Sequence, residues 1–144
     1  MKVSNIVYAL SRLWVLLGAS YVLPLAFSIA FRDGLHFVFL AHIAGLLGLS
    51  LLSRVFRIAP RELTIREGFL IVTICWVSFT VFGATPFMVT GYIPSFTDAF
   101  FETMSGFSTT GATILTDIER LPKSLLLWRN MTQWLGGMGV IALA

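Results

Sequence analysis

Pro94-Ser95-Phe96-Thr-Asp98-Ala-Phe100-Phe-Glu102-Thr-Met104-Ser-Gly106-Phe107-Ser108-Thr109-Thr110-Gly111-Ala112-Thr113 is the stretch on which the fold turns. It divides at Ser108. Ahead of that residue, Phe96, Phe100, Met104 and Phe107 recur at the spacing of one helix face. Ser95 stands where an N-cap belongs, and Asp98 falls in the first turn, where the positive helix end favours an acid. About eleven residues of helix within 95–107 reach about 16 Å at about 1.5 Å per residue, roughly half of a bilayer core. Small and polar residues follow over 108–113. A half-length helix with a short polar tail reads as a re-entrant pore loop or as an amphipathic helix on the outer membrane surface.

The flanks place this unit in a membrane protein. Hydrophobic residues make up 57% of the 144 and charged residues 12%, with a mean hydropathy of +0.88. That charged share is about half of a soluble domain's and leaves too little polar surface to cover such a core. Stretches 13–31, 35–53, 68–97 and 130–144 hold no charged residue, and each supplies most or all of a crossing. Four spans are therefore expected, with 96–113 too short to be a fifth. A cleaved signal peptide ending at Ser28-Ile-Ala30 is the minor alternative for the first span, whose apolar run continues through Phe31.

Basic residues orient the chain. Arg54, Arg57, Arg61 and Arg66 share the loop after the second span, and Lys2 and Arg12 sit near the start. The positive-inside bias therefore puts the N-terminus and this loop in the cytoplasm. The loop arginines suit contact with anionic lipid. The net charge of +3 is no nucleic-acid footprint, because no soluble basic face is interleaved with aromatics. One cysteine, Cys75, and two distant histidines, His36 and His42, make neither a disulfide nor a metal cluster. No nucleophile–base pair appears, so no enzyme and no cofactor is expected.

The chemistry of 108–113 suits a cation. An ion entering a membrane exchanges its water shell for other oxygens, and filters supply these as backbone carbonyls on an extended loop. Such backbone is tolerated at depth only where it lines a cavity or is buried in protein. Gly111 allows backbone angles that turn carbonyls toward an ion, and the threonine hydroxyls offer anchors. The C-terminal end of the short helix would direct partial negative charge toward a cation behind the loop. Thr-Thr-Gly alone is a common loop sequence; its place after a half-length helix and between two spans makes it informative.

Phe100-Phe-Glu102-Thr-Met-Ser-Gly106-Phe-Ser-Thr-Thr-Gly111-Ala-Thr-Ile-Leu115, then Leu121-Pro-Lys123, then Arg129-Asn-Met-Thr-Gln-Trp134-Leu-Gly-Gly-Met-Gly139 is similar to the first pore repeat of the bacterial Trk/Ktr potassium-uptake family, nearest to its Trk-type pore subunit. The similarity is strongest over 100–144. It implies an all-α integral membrane protein with two N-terminal transmembrane helices and a cytoplasmic Arg-rich loop over 1–67. A pore repeat follows over 68–144: outer helix 68–90, pore helix 95–107, filter 108–113 and inner helix 124–144. It further implies potassium as the transported ion, held by backbone carbonyls of Thr109, Thr110, Gly111 and Ala112. Glu102, Thr113 and Arg129 would support the filter. Other implied features are a bacterial inner-membrane location, a homodimer and a cytosolic nucleotide-binding regulatory subunit. The chain departs from the family in length, lacking the other three filters, and its last helix is still apolar at Ala144. A partial chain is therefore expected, with further repeats or further copies completing the pore.

Blander roles stand beside these. For Glu102 a structural role, as an ion pair with Arg129 or as an acid exposed to an outer vestibule, is favoured over ion binding, and a cap acid is favoured for Asp98. Snorkelling to head groups is favoured for Arg129. Gly136, Gly137 and Gly139 suit either a hinge or close helix packing, the commoner use of small residues in membranes. His42 suits an interhelical hydrogen bond, and Trp128 an interfacial belt. Two functional alternatives remain open: a non-conducting membrane scaffold or assembly subunit, and a homotetrameric cation channel of single-loop subunits.

Overall fold

The structure, a computed structural model, describes residues 3–54 and 64–143. Arg57 and Arg61 of the basic loop, and Lys2, lie outside the described residues. Among those described, every regular element is helical: α1 (Val3–Ser20), α2 (Val22–Phe31), α3 (His36–Arg54), α4 (Ile65–Val89), α5 (Phe96–Phe107), a 3-10 turn (Ile118–Arg120) and α6 (Lys123–Leu143).

Three segments among the described residues are long and apolar enough to cross a membrane: Ile6–Phe31, His36–Ser53 and Ile65–Val89. The first comprises α1 and α2, broken at Tyr21. Pro24 causes the break, since it has no N–H for the Ser20 carbonyl and its ring crowds that carbonyl. The break has a structural use. Tyr21 is fully buried, donates its hydroxyl to the Phe82 carbonyl of α4 at 2.8 Å and stacks on Trp128 of α6 with centroids 4.1 Å apart. It therefore ties the N-terminal helices to the C-terminal half.

α4 begins at Ile65, earlier than the expected position 68, because Thr64 and Glu67 form a reciprocal capping box. It ends after Val89, where Gly91 takes φ +77 and opens the turn into α5. The fourth predicted span, α6, is 21 residues long. Length alone is ample for a crossing, about 31 Å; Arg129, Asn130, Thr132 and Gln133 keep it outside the apolar set.

Packing gathers the elements around Trp128. α1 packs on α3 and α4, α2 on α3 and α6, and α5 sits between α4 and α6. Leu17, Tyr21, Phe39, Ala84, Phe87, Phe107, Leu125 and Trp128 belong to one buried cluster. Trp128 is fully buried and donates its indole N–H to the Gly83 carbonyl at 2.9 Å. It belongs to the core, not to an interfacial belt; the polar handle that a belt tryptophan offers to head groups is used here inside the protein. His42 joins α3 to α4, with Nε2 2.6 Å from the Thr85 hydroxyl and Nδ1 2.6 Å from the Val38 carbonyl.

Candidate functional site

The site grows out of α5. Its twelve residues rise about 18 Å. Ser95 caps the helix by accepting from the Asp98 N–H at 3.4 Å, so Asp98 lies in the first turn. The face toward α4 and α6 buries Ala99, Thr103 and Phe107. A further buried pair, Glu102 and Ser105, meets the loop that follows.

That loop doubles back on the helix end. Ser108 N–H reaches the Met104 carbonyl at 2.8 Å, and Thr109 N–H the Gly106 carbonyl at 2.9 Å. Thr110 and Gly111 N–H groups converge on the Ser105 carbonyl at 3.0 and 3.3 Å. The C-terminal carbonyls of α5, otherwise orphaned, are thereby satisfied by the loop itself. The reversal requires left-handed backbone at two positions, Thr109 with φ +57 and Gly111 with φ +76. Glycine takes that conformation freely. A β-branched threonine does so at a cost of about 1–3 kcal/mol, so the surrounding bonds hold Thr109 in place. The hydroxyls of Ser108 and Thr110 lie 2.8 Å apart.

The returning limb is pinned at three successive residues. The Ala112 carbonyl accepts from the Ser105 hydroxyl at 2.6 Å. Thr113 donates its hydroxyl to the Glu102 carboxylate, 2.9 Å from each oxygen. The Ile114 N–H reaches the same carboxylate at 3.0 Å. Glu102 is 3% exposed and is completed by Arg129 of α6, whose Nε lies 2.6 Å from Oε1. One buried carboxylate thus joins α5, the loop and α6. Arg129 does not snorkel: it is 9% exposed and turned inward, because the unpaired Glu102 charge would otherwise be stranded in the interior.

The glycines of α6 divide. At Gly136 a Cβ would overlap the Phe107 carbonyl, so this position lets the end of α5 lie directly on the α6 backbone. A Cβ at Gly137 would stand 3.8 Å from Thr109 Cγ2, an ordinary contact, and Gly139 faces open space. Of the three, only Gly136 stands where a side chain would collide with α5 in this chain.

Thr109, Thr110, Gly111 and Ala112 are all exposed in this chain. They are not equivalent. Among the described residues no hydrogen bond engages the carbonyls of Thr109, Thr110 or Gly111, whereas that of Ala112 is held by Ser105. No group of three or more His, Cys, Asp or Glu that could hold a metal ion occurs among the described residues.

Two participants were missed in the sequence. Ser105 carries no spacing signal, since its role exists only once the loop has folded back over it. Asp33, in the turn between α2 and α3, receives the Ser124 N–H at 3.3 Å and the Ser124 hydroxyl at 2.5 Å, and also bonds the Ser28 hydroxyl and the Leu35 N–H. It supplies the N-terminus of α6 with a carboxylate from a distant part of the chain. Burial pushes its acidity toward a higher pKa, but the hydroxyls of Ser124 and Ser28 and the two N–H groups outweigh it and hold the carboxyl below its ordinary value.

Comparison with known proteins adds a family. The model of the TrkH family, described as a cation transport protein, matches residues 36–144. The chain is 39% identical over 146 residues to the Trk system potassium uptake protein TrkH of Halomonas elongata, covering 100% of this chain and 30% of that protein. It is 40% identical over 132 residues to TrkH of Escherichia coli K12, covering 90% and 27%. It is also 40% identical over 84 residues to the Trk system potassium uptake protein TrkG of the same organism, covering 58% and 17%. The chain thus spans about a third or less of the curated relatives it matches.

Proposed function

This chain belongs to the TrkH family of cation transport proteins, and from that premise we propose that it contributes one ion-binding segment to a potassium-conducting pore. It is a membrane protein, with three segments fit to cross a bilayer. The observation that carries the reading is the run Thr109-Thr110-Gly111, whose carbonyls meet no hydrogen bond among the described residues, on a loop braced from behind by α5. Free carbonyls on a braced loop are what a dehydrated cation needs, and helix α5 ends just behind them with its partial negative charge.

In this proposal the loop sits at membrane depth and faces a central axis. Thr109, Thr110 and Gly111 supply oxygens to potassium, which is substrate and not cofactor. One loop covers one side of an ion. The other sides come from further repeats or further copies, within an assembly that includes a dimer partner and a cytosolic nucleotide-binding subunit. The protein sits in the bacterial inner membrane with its N-terminus in the cytoplasm, its lipid-facing helices around the pore unit.

The test uses a bacterium deficient in potassium uptake. It receives either this chain by itself or a chimera in which the chain replaces the matching segment of the Halomonas elongata relative. The chimera is expected to restore growth at low potassium, and Gly111→Ser in the chimera to abolish it. At φ +76 a serine is strained, and relief of that strain re-aims the neighbouring carbonyls. Undiminished rubidium uptake by the Gly111→Ser chimera, at normal membrane abundance, would overturn the assignment and leave a scaffold.

A further inference from the structure

Ser105 is the residue at which both limbs of the loop meet. It is 5% exposed and lies three positions beyond Glu102 on α5, a spacing that puts the two side chains on neighbouring surface of the helix. Its main-chain carbonyl gathers the N–H groups of Thr110 and Gly111, while its side-chain hydroxyl donates to the carbonyl of Ala112. The descending limb is thus held by donors pointing in, and the returning limb by an acceptor pointing in.

We propose that Ser105 is a positioning residue for cation selectivity. Its buried hydroxyl turns the Ala112 carbonyl back toward α5, so that the loop presents the carbonyls of Thr109, Thr110 and Gly111 and no fourth one. The proposal rests on the loop being an ion-binding segment and specifies which of its oxygens do the binding. Selectivity depends on how many carbonyl dipoles surround the ion and how firmly they are placed. Freeing the Ala112 carbonyl changes that number on this side of the ion.

The geometry separates this role from folding. In Ser105→Ala the bonds from Thr110 and Gly111 persist, because they end on main chain. Thr113 and Ile114 remain fixed to Glu102. The restraint lost is the one on the Ala112 carbonyl.

The experiment compares Ser105→Ala, Ser105→Thr and Ser105→Cys in the chimera described above. Rubidium uptake is competed with potassium and with sodium, and membrane abundance is measured alongside. Ser105→Ala is expected to lower discrimination between potassium and sodium by about tenfold, the equivalent of about 1.4 kcal/mol, at unchanged abundance. Ser105→Thr, which keeps a hydroxyl, is expected to stay near the unsubstituted chimera. Should Ser105→Ala not reach the membrane, Ser105→Cys, a weaker donor of similar size, is expected to show an intermediate loss. Unchanged discrimination in Ser105→Ala, or in Ser105→Cys where Ser105→Ala is not recovered, overturns the proposal. A parallel fall in abundance of all three variants also does, since it makes the role purely structural. Gly111→Ser run beside them separates the two levels: continued uptake there removes the ion-binding reading itself. Its loss, together with unaltered discrimination in Ser105→Ala, removes only the role of Ser105.

Discussion

Glu102 and Arg129 form a buried ion pair, and such pairs are held less by mutual attraction than by the cost of leaving either partner alone. Glu102 accepts from Arg129, Thr113 and Ile114, so its carboxylate is well satisfied. Arg129→Met is expected to destabilise the protein by about 3 kcal/mol, the lower end for a stranded buried charge. The double variant Glu102→Gln/Arg129→Met should cost clearly less than the sum of the two singles, as thermal unfolding of the detergent-solubilised chain will measure. Additive losses would mean that the two groups do not act as a pair. Asp33 gives a pH signature of definite sign. Its folded-state pKa lies below the ordinary 3.8, so its contribution is fully present above that value and is lost as pH falls through the folded-state one. Between pH 7 and 5 the melting temperature should carry no Asp33 contribution to its slope. Below about pH 4, by the same linkage, Asp33→Asn should show a shallower decline than the unsubstituted chain. Equal slopes would remove Asp33 as a clamp on α6. At this scale the pairing of Glu102 with Arg129 was one of two structural readings open for Glu102 and ran against the snorkelling expected of Arg129, whereas Asp33 and Ser105 gave no signal. Their partners lie on segments that only folding brings alongside.

Among the elements, α5 was the most legible. A serine cap, an acid in the first turn and four large apolar residues at helical spacing mark its extent, although the face it buries runs through Ala99, Thr103 and Phe107 while Phe96 stays exposed. The break between α1 and α2 was written in Pro24 yet hidden by the unbroken apolar run around it. The start of α4 was signalled by Thr64 and Glu67, three apart, ahead of an apolar run. What the glycines of α6 do could not be read from their clustering. Gly136 lies on the Phe107 carbonyl, so Gly136→Ala must push α5 and α6 apart, at a cost of about 1–3 kcal/mol for overpacking. Gly139→Ala, facing open space in this chain, should be neutral or stabilising by up to about 1 kcal/mol through helix propensity. Thermal unfolding of the two variants of the isolated chain checks the contrast. Equal costs would mean that the α5–α6 contact is looser than the Gly136 geometry requires.

Over the whole molecule, three segments are fit to cross a membrane, and labelling can test the orientation proposed for them. Cys75 is the only cysteine and lies within α4. A membrane-impermeant maleimide is expected to leave it unmodified in intact cells. With the N-terminus cytoplasmic as proposed, Tyr92→Cys, exposed beyond the C-terminal end of α4, should be labelled from outside, and Arg66→Cys only after the cells are opened. The reverse pattern would invert the topology. Class, helical content and the half-length of α5 follow from the order of apolar and polar residues along the chain, because burial in lipid acts on each segment separately. Only the tertiary structure decided which carbonyls of 109–112 are free of hydrogen bonds among the described residues, that Arg129 and Trp128 turn inward, and that of the three α6 glycines only Gly136 stands where a side chain would collide. Those outcomes depend on hydrogen-bond partners and steric neighbours many residues away, and local sequence carries no record of such distances.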